Sequence, residues 1–392
     1  MSTIRPSVTR RQFGRGCWAA LAFGATAAVD AEEWRQFRGP RGLGHGEIAR
    51  APLQWNAFRN IVWQTPLPGS GCSSPIIVDD RIWLTAADVT ALTEEARAKI
   101  VENSPIPLEE FQTHGAVTAY ALELDGKSGR LLRKIPLLDV KNPAPIHAWN
   151  HYASPTSATD GKRLVCHFGS LGTVALDAAS GELLWKKRFE IDEVTGPGGS
   201  PIVVRDRVFL ACDGRDRQFV VALDITTGQE IWRTPRPPID VVDDKHKRAF
   251  STPIVIEESG EELLVSAGAQ WLVAYELLTG RERWRVNIGE GHAVVPMPTS
   301  RKGFVYSCTG YPKPQMWAVR TGGRGDVTDS HVAWIYDRQV PELASPVVVG
   351  DDLYFVSMIG VATCLNADTG ERRWQQRLGG GYSASPIAIG EQ

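Results

Sequence analysis

Ser200-Pro201-Ile202-Val203-Val204 opens the stretch that decides the fold of this chain, and Gln229-Glu230-Ile231-Trp232 closes it. Between them lie two more apolar runs, Val208 to Cys212 and Phe219 to Leu223. Asp206-Arg207, Asp213-Gly214 and Asp224-Ile225-Thr226-Thr227-Gly228 separate the runs. Short β-rich segments punctuated by turn residues predict a four-stranded antiparallel meander. Asp224 can accept hydrogen bonds from nearby backbone N–H groups, and Gly228 can take a positive φ, so the last connection reads as a tight hairpin.

The unit recurs outward in both directions. Ser-Pro or Thr-Pro opens a strand at Ser74, Ser154, Ser200, Thr252, Ser345 and Ser385, and Met297-Pro298 holds the matching place in between. An acid or Asn four residues before Gly, with Trp four after it, recurs at Asp177, Asp224, Glu276 and Asn366. The tryptophans so placed are Trp185, Trp232, Trp284 and Trp374; Trp334 holds the place in a longer version, and Arg133 replaces Trp after Asp125. Self-similarity at roughly 40–50 residues with four strands per unit predicts an all-β propeller of antiparallel blades. The repeat tryptophans are read as core residues that dock one blade on the next.

The repeat resembles the tryptophan-docking repeat of pyrroloquinoline-quinone (PQQ) type propellers, a superfamily that includes the quinoprotein alcohol dehydrogenases. More closely, the chain is similar to secreted PQQ-like repeat proteins of planctomycete-type bacteria. That likeness rests on Trp34 to Pro40, Asn150 to Thr156 and Gly322 to Thr328. More distantly, it resembles the propeller lipoprotein of outer-membrane assembly. The resemblance implies eight blades in the intact family. Here six are complete, and a partial closing blade remains. Ile61 to Pro66, carrying Trp63, reads as a fourth strand without its first three, and Ser385 begins a strand close to Gln392. The expectation is that the natural C-terminus is missing; the alternative is a ring that closes imperfectly.

Twin arginines, Arg10-Arg11, precede an apolar stretch from Cys17 to Val29, with small residues near Ala25 to Ala27 and Val29 to Ala31. Residues 1–31 therefore read as a twin-arginine export signal, with the mature protein in the periplasm or on the cell surface. Residues 32–60 form an irregular lead-in that packs across the propeller, and 61–392 form the propeller itself. Residues 86–115 are an insertion in blade one, with a short helix expected within Thr90 to Glu102 and Thr93 and Ala96 in its first turn. The net charge of −2 leaves no basic footprint for nucleic acid or anionic lipid. No apolar run reaches the roughly 18 residues that a transmembrane helix needs. A monomer is expected. The five cysteines beyond the signal, Cys72, Cys166, Cys212, Cys308 and Cys364, are read as thiols. Equivalent points on packed sheets lie about 10 Å apart, too far for a disulfide.

In an antiparallel blade the loops before the first strand and between the second and third strands share one face. That face should gather His147, Trp149, Asn150, His151, Tyr152, Asp213, Arg215, His246, His292, Glu342 and Tyr382 into a ligand funnel, with the insertion as its lid. No metal site and no cofactor are expected. The preferred reading is a non-catalytic exported module that binds a protein, peptide or glycan, in one version during envelope assembly. The alternative that the resemblance implies is a PQQ- and calcium-dependent dehydrogenase. Such an enzyme needs a hard cation with oxygen ligands beside a general base. Asn150, Asp213 and Glu342 are the nearest approach to that set, and the adjacent cysteines found in many such enzymes are missing.

Overall fold

The computed structural model describes residues 18–19, 33–46, 51–102 and 110–390. Apart from Trp18–Ala19, the expected export signal lies outside them. Six sheets, each of four successive antiparallel strands, follow one another along the chain, over 76–141, 158–187, 202–235, 254–287, 299–336 and 347–377, and the fourth is extended by the short parallel strand Gly325–Asp326. Each is a β-propeller blade. Blade three runs Ile202–Val204, Arg207–Asp213, Gln218–Asp224 and Glu230–Pro235, the four strands expected from the opening stretch. Large apolar side chains interleave between neighbouring blades. Ile202, Phe209 and Val220 of blade three, for example, pack against Leu264, Val273 and Tyr275 of blade four.

The acid-to-glycine turns form as the repeat requires. Asp224 Oδ1 accepts from the backbone N–H groups of Thr226 and Thr227 at 2.9 and 2.7 Å, and Gly228 has φ +70°. The tryptophans then join the blades. Trp63, Trp185, Trp232 and Trp334 donate from Nε1 to Gly126, Ile225, Leu277 and Ala367 at 3.0, 2.8, 3.2 and 3.0 Å. Each acceptor is the carbonyl just after the turn acid of the next blade. A Cβ on Gly228 would lie 2.6 Å from the Trp185 ring, so that glycine is required for close approach as well as for its dihedral angle. Arg133 does the tryptophan's work by donating to the carbonyls of Ala178 and Ala179 at 2.6 and 3.0 Å, and it pairs with the buried Glu123. Trp284 departs from the rule, since its indole donates to the Glu258 carboxylate at 3.2 Å. Trp374 is 46% exposed.

Around the axis the openings of the blades are linked by hydroxyls. The backbone N–H groups of Ser74, Thr156 and Ser200 donate to Thr156 Oγ1, Ser200 Oγ and Thr252 Oγ1 at 2.9–3.0 Å. Met297 and Ser345 donate likewise to Ser345 and Ser385. This places Thr156, not Ser154, at the opening of blade two. The Ser154-Pro155 dipeptide mimics the repeat two residues early, because Ser154 Oγ is engaged with Asn150 at 2.6 Å instead.

The lead-in does pack across the propeller. The Trp34 carbonyl accepts from Ile77 at 2.8 Å in blade one, and that of Arg35 accepts from Thr159 at 3.0 Å in blade two. Phe37 joins the core of blades four and five. The Arg38 guanidinium, 4% exposed, donates to the carbonyls of Pro346 and Pro386 at 2.9 and 3.0 Å. The closing segment differs from expectation in its pairing. Ala388–Ile389 runs parallel to His45–Gly46, and Thr65–Pro66 pairs with Trp18–Ala19. In blade one the insertion contains the helix Glu94–Glu102, with Thr93 Oγ1 accepting from Ala96 N at its start. Among the described residues no disulfide joins Cys72, Cys166, Cys212, Cys308 and Cys364, and all but Cys72 are buried. Among the described residues no helix is long and apolar enough to cross a membrane.

Candidate functional site

The loop before blade two is held from several sides. His147 pairs in a short antiparallel ladder with Phe111 of the insertion, and its Nε2 lies 3.7 Å from Glu110. The insertion therefore rests on this loop, where a lid was expected. Asn150 acts as a clamp. Its amide nitrogen donates to the carbonyls of Thr195 and Pro197 at 2.9 and 3.0 Å, and its oxygen accepts from His151 N and Ser154 Oγ. His151 is partly buried, and loss of hydration lowers its pKa. Tyr152 is buried and donates to the Ala144 carbonyl at 2.8 Å. Trp149 alone of this group is largely exposed, at 80%.

The other expected residues do not converge on one funnel. Asp213 is a correction: it is sealed in a bidentate pair with Arg236 at 2.6 and 3.0 Å, both side chains 2% exposed. Arg236 also donates to the carbonyl and hydroxyl of Ser266, so the pair joins blades three and four. The sequence gives no sign of it, because the partner lies 23 residues away. Arg215 is paired with Asp192 at 2.6 Å. His246 stacks on His292 with ring centroids 4.0 Å apart, and Tyr311 meets His292 edge-on at 5.6 Å. Burial first, and His246 second, push the His292 pKa down to about 4. Glu342 borders a separate cleft of about 400 Å³ with Lys313, Asp337 and Met358. Tyr382 lies beside that cleft, its N–H donating to the Met358 carbonyl at 3.1 Å.

What the loop face does form is a cleft of about 520 Å³ between blades two and three. Tyr152 and Arg215 border it, as expected for the funnel. Pro143, Pro145, Ile146, Leu171 and Ile191 give it an apolar wall. Its most unusual group, Glu193, was not foreseen. Glu193 Oε2 accepts from Ser170 N at 2.8 Å. Loss of hydration, with Asp192 adding repulsion, pushes its pKa up to about 7. The one signal in the sequence was the run Glu190-Ile191-Asp192-Glu193 between a fourth strand and the next opening serine.

A calcium-bound quinone would need oxygen donors that meet. Asn150 is spent on loop carbonyls, Asp213 on Arg236, and Glu342 sits at a different cleft. Among the described residues no group of three or more His, Cys, Asp or Glu side chains is placed to hold a metal. These residues do not fit that group.

Comparison with known proteins places the chain. It is 28% identical over 229 residues to quinohemoprotein alcohol dehydrogenase ADH-IIG of Pseudomonas putida, covering 51% of this chain and 29% of that one. It is 28% identical over 258 residues to the 1-butanol dehydrogenase (quinone) of Thauera butanivorans, covering 60% and 37%. The matched part thus spans about a third of the length of these relatives. Among solved structures, BamB from Moraxella catarrhalis matches at TM-score 0.42 and 17% identity, over 70% of this chain and 75% of that one. Quinohemoprotein alcohol dehydrogenase from Comamonas testosteroni matches at 0.46 and 11%, over 91% and 75%. The profile of one family matches residues 55–216, 115–292 and 216–389. Since those matches run through most of the chain, it belongs to the family described as outer membrane protein assembly factor BamB.

Proposed function

We propose that this protein is a non-catalytic binding module of the cell envelope, whose loop face receives a segment of a partner polypeptide. The observation that carries this reading is how the polar groups of that face are used. Asn150, Asp213 and Arg215 hold loops and blades in place, while the cleft between blades two and three is walled by apolar side chains, and Trp149 of the loop before blade two is exposed. An apolar concavity edged by a few polar groups is a usual binding surface, and an exposed indole is a frequent interface anchor. The twin-arginine leader and the family's description support an envelope location.

The test is photo-crosslinking in the native envelope from position 149, on the loop face, and from position 183, on an outer strand. A discrete adduct from 149 alone supports the reading. Equal labelling from both positions overturns it. The second reading, a quinone-dependent dehydrogenase, draws on the 28% identity to such enzymes. Calorimetry with PQQ, with and without Ca²⁺, separates the two. Calcium-dependent micromolar binding would favour the enzyme; no heat from the folded protein leaves the binding module.

A further inference from the structure

Arg188, Asp192, Arg215 and Asp216 of the blade two to blade three cleft are held by partners on the protein, and Lys141 and Glu190 also border it. Arg215 faces Asp192. Asp216 Oδ1 accepts from Asp192 N at 2.7 Å, and its Oδ2 lies 3.7 Å from Arg217. Arg188 donates to the Ser170 carbonyl at 3.0 Å. Glu193 accepts from the N–H and the hydroxyl of Ser170, and among the described residues it makes no ion pair. Capping the Gly169–Leu171 turn does not explain an acid here, because the amide oxygen of a glutamine accepts from Ser170 N equally well. A part-buried carboxylate without a cation lowers fold stability unless something pairs with it. The backbone beside it is also strained, since Val194, a β-branched residue, has φ +60°.

We propose that Glu193 seats one cationic side chain, a lysine or arginine, of the partner polypeptide. This deepens the binding-module reading and rests on it. The aliphatic stem would lie along Pro143, Pro145, Ile146, Leu171 and Ile191, and the cationic head would reach the Glu193 carboxylate. At about 520 Å³ the cleft admits one or two side chains, not a folded domain. The other groups around Glu193 are Glu190 and Asp192 on its own segment, Arg188 after the fourth strand of blade two, Lys141 at the end of the fourth strand of blade one, Arg215 and Asp216 from the blade three hairpin, and the Cys212 thiol. Burial first, and Asp192 with it, hold the Glu193 pKa up at about 7. Binding of a cation should therefore strengthen as pH rises through 7.

The experiment titrates the protein with the capped tripeptides Ala-Lys-Ala and Ala-Leu-Ala and with n-butylamine, following carboxyl ¹³C shifts of labelled glutamate. At pH 8 the lysine peptide should bind at least tenfold tighter than the leucine peptide. The preference should shrink towards pH 5.5 and vanish in Glu193→Gln, whose melting temperature confirms that it is folded. Equal binding of the two peptides overturns the proposal, as does a lysine preference that survives in E193Q. Butylamine binding as tightly as the lysine peptide would assign the seat to a free amine and overturn the polypeptide source. If no tripeptide binds while crosslinking from position 149 persists, the cation seat fails and the binding module stands.

Discussion

His167 and Glu193, with the last two strands of blade two between them, answer pH in opposite directions. His167 is fully buried with Nδ1 2.8 Å from Thr173 Oγ1, and burial pushes its pKa down to about 4. An unfolded histidine titrates near 6.5, so the folded chain binds fewer protons between about pH 6.5 and 4. Stability should fall as pH drops through that window, by about 3 kcal/mol at most from this residue. Glu193 is raised, so the folded chain keeps a proton there that the unfolded chain has lost between about pH 4.5 and 7. Stability should fall as pH rises through that window. Urea midpoints at pH 4.5, 6 and 8 should show His167→Gln flattening the acid limb and Glu193→Gln the neutral one. An unchanged profile in either variant would refute its assignment. At this scale the sequence was least legible. Asn150 and Asp213 had the chemistry of ligands, but what a polar side chain does depends on which distant backbone or guanidinium the fold sets against it.

The blade-to-blade joint is the element that the sequence showed best, because burying an indole at each repeat leaves a period that can be counted. Its strength should vary from seam to seam. Trp284 is fully buried, and Trp284→Ala should cost about 3–5 kcal/mol. Trp374 is 46% exposed and should cost less than about 1.5 kcal/mol. Denaturant midpoints of the two variants give the comparison, and equal losses would show that docking does not depend on burial. Arg133 holds its seam by charge as well as by hydrogen bonds, so Arg133→Ala leaves the buried Glu123 only Arg81 at 3.6 Å and should cost about 1–3 kcal/mol. The start of blade two was misread for a local reason. Ser154-Pro155 carries the repeat's signature, while the ladder begins two residues later, and a dipeptide cannot report a register fixed by the neighbouring blades.

Across the whole molecule, the lead-in takes on work that the ring itself would otherwise do. Arg38 ties blade six to the segment at Pro386 with no carboxylate paired to it among the described residues, and burial pushes its pKa down to about 10. Arg38→Met removes both hydrogen bonds and should lower stability by about 2–4 kcal/mol. Hydrogen exchange should show the loss centred on residues 345–390; a loss spread evenly over all blades would count against the strap. Export is tested separately. Substituting both Arg10 and Arg11 with Lys should leave the protein in the cytoplasm, and normal export would remove the twin-arginine reading. The fold class was legible because six near-copies reinforce one pattern. The crossing lead-in was legible only as an irregular segment, since its partners are carbonyls spread over the ring.

The axial hydroxyls have a consequence for how such a molecule can change over generations. Each link is head-to-tail: a blade offers a hydroxyl to the one before it and an N–H to the one after. Duplicating a blade therefore copies both halves of both joints, and the enlarged circle is compatible from the outset. Met297 offers no hydroxyl, so the boundary between blades four and five is where a copied or deleted unit would be spliced at least cost to its neighbours.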